Sequence, residues 1–277
     1  DRRSHGLGDK IIELMRADGA AVRPEPITFL RDALGRIKDT RRMPSNLDQD
    51  WRNRLARCIH SACLLEATAP KPGNVHPEAP FSDLSYADFV ASAAAIAPAL
   101  ARTSWENVGG AILDAIRATR SAVGANTNLG IVLLLAPLAA VPPTATLEAG
   151  LPDVLARLTQ ADAANVYEAI RTAMPGGMGE VAEEDISGMP QGTLVEVMRL
   201  AADRDSIARQ YVTGFETVLG LGLSLLTDTK EFEARPLESV VRLHLSLMWE
   251  VPDTLIARKC GAETARESAA RARIVLD

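Results

Sequence analysis

From Leu55 to the end of the chain, apolar residues recur at helical intervals, and sustained alternation of period two is missing. Leu55, Ile59, Ala62, Cys63 and Glu66 follow spacings that put them on one face of a helix, so a carboxylate closes an apolar stripe. Pro70, Pro72 and Gly73 then stop that helix. Ser85 followed by Asp88 has the form of a capping box, and Phe89, Ser92, Ala93, Ile96 and Leu100 continue one face of the helix it starts. Ile112, Ile116 and Thr119 predict another helix before Gly124, and further periodic segments run over 152–158, 161–174, 193–219, 236–249 and 262–276. The run Ile131 to Leu135 has strand composition, but its helical neighbours make it a buried helix. A chain patterned this way predicts an all-α fold: one multi-helix globular domain.

Composition agrees. Aromatic residues are only 4% of the chain and alanine is abundant, which suits closely packed helices. The hydrophobic fraction of 47% is enough for a sizeable core. A net charge of -6 argues against a general nucleic-acid binder, which needs clustered Lys and Arg. The longest apolar stretch, Gly130 to Pro142, is shorter than the roughly 20 residues of a bilayer-spanning helix. Cys58, Cys63 and Cys260 form no C-x-x-C pair, so a reducing, cytoplasmic setting is expected. Residues 1–48, with Pro24, Pro26 and a charge-rich run before Pro44, read as a separate helical arm for packing or homodimerisation, and 49–277 as the domain.

Three loops could carry chemistry. In the first, Glu66 to His76, two prolines and a glycine fix an irregular backbone after a helix and present side chains at low entropic cost. Lys71 supplies a charge suited to phosphate, and Asn74 and His76 supply hydrogen bonds; the plainer alternative is a helix stop with an ordinary surface Lys. In the second, Gly124 to Gly130, two glycines bracket Asn126, Thr127 and Asn128, so backbone N–H groups could approach an anion at a helix N-terminus. No Gly-Lys-Ser or Gly-Lys-Thr follows, so it is not a Walker motif. The third, Pro175 to Gly179, leads into Glu180, Glu183, Glu184 and Asp185, carboxylates of the kind that hold Mg²⁺ or simply face water. A fourth feature is Asp203 to Gln210 in a long helical pattern. Asp205 and Arg209, four apart, are spaced for a surface ion pair, while Ile207, Tyr211 and Phe215 continue an apolar face that would hold Asp203 and Asp205 at a fixed place for a functional role. His60 and His244 read as packing or surface residues.

Together these loops resemble the triphosphoribosyl-dephospho-CoA synthase family of citrate lyase and malonate decarboxylase systems. Thr68-Ala-Pro-Lys-Pro-Gly-Asn-Val75 is similar to that family's Thr-Pro-Lys-Pro-Gly-Leu-Val signature, with Asp83, Tyr86, Phe89 and Ser92 following at fitting positions. Gly124 to Gly130 is similar to its Gly-x-Asn-Thr-His-Lys-Gly loop, and Cys260-Gly-Ala-Glu263 also fits. Two departures mark a divergent branch. Asn128-Leu129 stands where the family loop has His-Lys, and Asp203 to Gln210 differs from the Asp-Thr-Asn stretch of citrate-system members.

The resemblance implies an enzyme that moves the triphosphoribosyl unit of ATP onto an acceptor hydroxyl and expels adenine, with Mg²⁺ accompanying the triphosphate. It assigns Lys71, Pro72, Gly73, Asn74, Asn126, Thr127, Gly130, Gly176, Gly177, Gly179 and Arg209 to nucleotide and phosphate binding. Glu66, Asp83 and Asp205 are assigned to catalytic base work or metal binding. The acceptor is dephospho-CoA or, given the departures, an alcohol precursor of a tetrahydromethanopterin-type C1 carrier. A catalytically silent nucleotide-binding scaffold is the remaining alternative.

Overall fold

The computed structural model describes residues 45–174, 188–226 and 229–277. Among them every regular element is helical, and the sole β-type pairing is an isolated bridge between His76 and Ala79. The all-α expectation holds. Of the expected arm, only 45–48 are described, as the first turn of α1; Gly176, Gly177, Gly179 and the acidic run after them lie outside the described residues.

The first half is a stack of helices: α1 (Ser45–Thr68), α2 (Tyr86–Leu100), α3 (Val108–Val123), α4 (Leu129–Ala139), α5 (Leu147–Ala156) and α6 (Gln160–Ala173). Neighbours in the stack are α1 on α2, α2 on α3 and α3 on α6, with α4 against α3. The periodic positions read from the sequence do bury: Ile59, Cys63, Ile96, Leu100, Ile112 and Ile116 belong to one continuous core with Val132, Leu151 and Val166. Alanines on the facing helices let the axes approach closely, which the low aromatic content anticipates. Ile131 to Leu135 lies inside α4, as expected of a buried helix.

One buried carboxylate ties two helix starts together. Asp162 Oδ2 accepts hydrogen bonds from the N–H and hydroxyl of Thr159, the N-cap of α6, at 2.8 and 2.7 Å. Its Oδ1 accepts from Gly109 N–H, in the first turn of α3, at 2.8 Å. The helices meet so closely here that a Cβ on Gly109 would lie 2.5 Å from the Cα of Asp162. At α2 the carboxylate of Asp88 accepts from both the N–H and hydroxyl of Ser85, the return half of the expected capping box.

Two expected boundaries are corrected. The segment expected from Pro152 begins at Leu147, capped by Thr146, and Pro152 sits inside it. The pattern expected to run unbroken over 193–219 is three pieces: α7 (Leu194–Ala201), α8 (Ser206–Thr213) and a π-helical segment, Thr217–Gly222. Asp205 is extended, at φ -138° and ψ 115°, and its carboxylate accepts the N–H groups of Ile207 and Ala208, starting a new helix. Gly214, at φ 68°, ends α8. Buried Gln210 then bridges to the next piece: its amide donates to Thr217 Oγ1 at 3.0 Å, while its Oε1 accepts from Thr217 N–H at 3.1 Å and Val218 N–H at 3.3 Å.

The chain closes with α9 (Leu223–Leu226), α10 (Thr229–Ala234), α11 (Pro236–Glu250), α12 (Thr254–Cys260) and α13 (Ala262–Leu276). Helix α13 packs on α11 and α12, and α11 also meets α1 and the π-helical segment, bringing the last third of the chain against α1.

Candidate functional site

At the C-terminal end of α1 the chain turns through the first loop, and its predicted site residues cluster. Lys71 folds back so that its ammonium donates to the backbone carbonyl of Glu66 and lies 2.9 Å from Glu66 Oε1. Asn74 Nδ2 donates to the same carboxylate oxygen at 3.2 Å. Lys71 is only 5% exposed, so the residue predicted to meet phosphate is sealed into its own loop by Glu66. Pro72 and Gly73 form the exposed tip, with Gly73 at φ 78°. Asp83, ahead of α2, is exposed.

A second group surrounds a cavity of about 1310 Å³ between α4, α6, α7, α8, α11 and α12. Its walls are mainly aliphatic, including Leu133, Ile170, Val197, Met198 and Leu247. Asn126 and Gly130 line it, the former with its Oδ1 accepting from Leu129 N–H at 3.2 Å at the start of α4. Thr127 and Asn128 lie just behind: Asn128 Oδ1 accepts from Thr119 at 3.1 Å, while Asn128 Nδ2 and Thr127 Oγ1 are buried with no partner. Of the carboxylates Glu66, Asp83 and Asp205, only Asp205 lines the cavity.

The expected Asp205–Arg209 ion pair does not form. Asp205 Oδ2 meets Arg258 Nη1 of α12 at 2.7 Å, and exposed Arg209 turns away to donate from Nε to the carbonyl of Ala202 at 3.2 Å. The N-cap geometry at Asp205 accounts for this: Oδ1 is held by the helix N–H groups, which aims Oδ2 across to α12. The same junction is tied by Ser206, whose N–H and hydroxyl both reach Thr254 Oγ1 at 3.2 Å.

Sequence reasoning missed the polar lining contributed by the last third of the chain: Arg204, His244, Asp253, Thr254 and Arg258. Asp253, the N-cap of α12, accepts from Leu255 N–H and Ile256 N–H, and an Asp-Thr pair after Pro252 was the available signal. His244 had none. Its ring lines the cavity on one side and faces the Pro72 carbonyl on the other, so α11 joins the first loop to the cavity. Burial, then the positive charge of Lys71, push its pKa below the usual value, and Nε2 is buried with no partner. Among the described residues, no group of three His, Cys, Asp or Glu side chains could hold a metal ion, so Glu66, Asp83 and Asp205 do not converge as a metal site.

The geometry thus supplies a large cavity with one polar corner, next to a proline-rich loop stiffened by an internal ion pair. The profile of one protein family, described as ATP:dephospho-CoA triphosphoribosyl transferase, matches residues 52–277. The chain belongs to this family. The transferase match spans the helices that build the loop and the cavity alike. No curated protein and no solved structure gives a match to the chain. Within this transferase fold, Leu129, which stands where the resembled loop carries Lys, forms part of the aliphatic wall. No helix among the described residues is long and apolar enough to cross a membrane.

Proposed function

We propose that the protein transfers the triphosphoribosyl unit of ATP to an acceptor hydroxyl and releases adenine. The observation that carries this reading is the family match over residues 52–277, which includes every described residue of the loop and of the cavity. Substitution at the ribose anomeric carbon passes through an oxocarbenium-like state, in which positive charge develops on the sugar. Of the expected carboxylates Asp205 is the one on the cavity wall, and it suits both stabilising that charge and taking the acceptor's proton. Asn126 and Gly130 hold the nucleotide's flank, with Gly130 leaving room beside Ile207. Pro72, Gly73 and Asn74 shape the neighbouring loop, whose Lys71–Glu66 pair keeps it in one conformation. The Mg²⁺ of the sequence expectation finds no protein cage among the described residues, so no step is routed through it.

Dephospho-CoA is the first acceptor to try, since the family is described by it. The aliphatic lining, with Leu129 in place of a charged residue, favours a second reading in which the acceptor is a less charged alcohol, such as a tetrahydromethanopterin-type precursor. Incubating the protein with Mg-ATP and each acceptor separates the two by which one is consumed. Free adenine is the product that supports the proposal; ADP or inorganic phosphate in its place refutes it.

A further inference from the structure

We infer that Arg258, rather than Lys71, is the cation that anchors the triphosphate. This rests on the proposed use of ATP and names the residue that recognises it. A phosphate-binding cation has to reach its ligand. Lys71 is 5% exposed, sits outside the cavity lining and already meets both the carboxylate and the carbonyl of Glu66. Arg258 lines the cavity, and its side chain keeps 36% of its exposure. A guanidinium carries five N–H donors in a planar fork suited to phosphate oxygens. In the free protein one nitrogen, Nη1, meets Asp205 at 2.7 Å on the cavity wall.

The surroundings suit an anion at this corner. The hydroxyls of Ser206 and Thr254 meet beside the Asp205–Arg258 contact, and Arg204 adds a second cation to the lining. The opposing charge is muted: Asp205 and Asp253 each accept two backbone N–H groups at the starts of α8 and α12, where the helix dipole offsets a carboxylate. Asp205 then acts as a placeholder. In the free protein it partners Arg258; on nucleotide binding the phosphate takes over the fork, which releases the Asp205 oxygen on the cavity wall.

The test is calorimetric titration of the full chain with Mg-ATP and, separately, with adenosine. Arg258→Gln weakens Mg-ATP binding roughly 10- to 100-fold, the loss of a charge-assisted hydrogen-bonded contact, and leaves adenosine binding unchanged. Arg258→Lys recovers part of the difference, because it restores charge without the fork. Asp205→Asn keeps a competent N-cap and removes the competing charge, so Mg-ATP binds as tightly as in the wild type or tighter. Arg258→Gln with wild-type affinity for Mg-ATP, equal losses for ATP and adenosine, or weakened binding in Asp205→Asn would each overturn the inference. A wild-type protein that binds no Mg-ATP overturns it as well. Failure of the functional proposal looks different: Arg258-dependent Mg-ATP binding with ADP or phosphate as product.

Discussion

Glu66 and Lys71 show how a single loop residue can be read correctly in kind and incorrectly in role. Spacing alone placed Glu66 at the end of an apolar stripe and Lys71 in a rigid turn, and the two do meet there with Asn74. Which way the ammonium points is decided by a partner five residues back, and by packing that no local pattern encodes. Glu66→Gln leaves the buried ammonium without its counter-charge. The expected loss of stability is about 2 kcal/mol in urea unfolding, below that of a fully buried pair because the Glu66 side chain is 34% exposed. An unchanged urea midpoint would show that the pair does not hold the loop.

His244 gives the pH dependence at the same scale. Burial and the charge of Lys71 lower its pKa, opposed by the Pro72 carbonyl and by Glu66 and Asp253. The unfolded chain therefore takes up this proton more readily than the folded one. The stability His244 confers is full above its unfolded pKa of about 6.5 and is lost as pH falls from there toward the lower folded value. Urea midpoints measured at pH 7.5 and 5.5 should converge in His244→Gln relative to wild type. Equal pH sensitivity in both proteins would contradict this. Nothing in the sequence marked this residue, because the loop groups it meets, Glu66, Lys71 and Pro72, lie some 170 positions away in the chain.

At the scale of elements, helix existence was legible and helix ends were not. The periodic faces of α1, α2 and α3 became the core as read. The break at Asp205 was missed because an apolar face resumes beyond it at Ile207, Tyr211 and Phe215, masking a cap that the Asp-Ser pair could have signalled. Tyr211 and Phe215 are nonetheless buried, with their rings 5.6 Å apart and the Tyr211 hydroxyl donating to the Leu133 carbonyl at 2.6 Å. The crossing of α3 and α6 was equally invisible, since it depends on Gly109 lacking a side chain. Gly109→Ala forces the helices apart and strains the Asp162 hydrogen bond, with an expected loss of about 2–3 kcal/mol and a clear fall in melting temperature. A variant as stable as wild type would mean that α3 and α6 sit further apart than described.

For the molecule as a whole, two distant parts of one chain are brought against each other. The first loop closes α1; α11 returns to it, and His244 is where they touch. Family membership was legible from short motifs whose residues are adjacent in sequence, chiefly those in the first half. The polar corner of the cavity was not, because Asp205 and Arg258 are joined only by the fold. The central claim is that ATP bound here reacts at its ribose rather than at a phosphorus. Chromatographic quantitation of the nucleobase products from Mg-ATP and dephospho-CoA, or an uncharged acceptor alcohol, tests that most directly. The account predicts one adenine freed per acceptor consumed; ADP accumulating with no free adenine would contradict it.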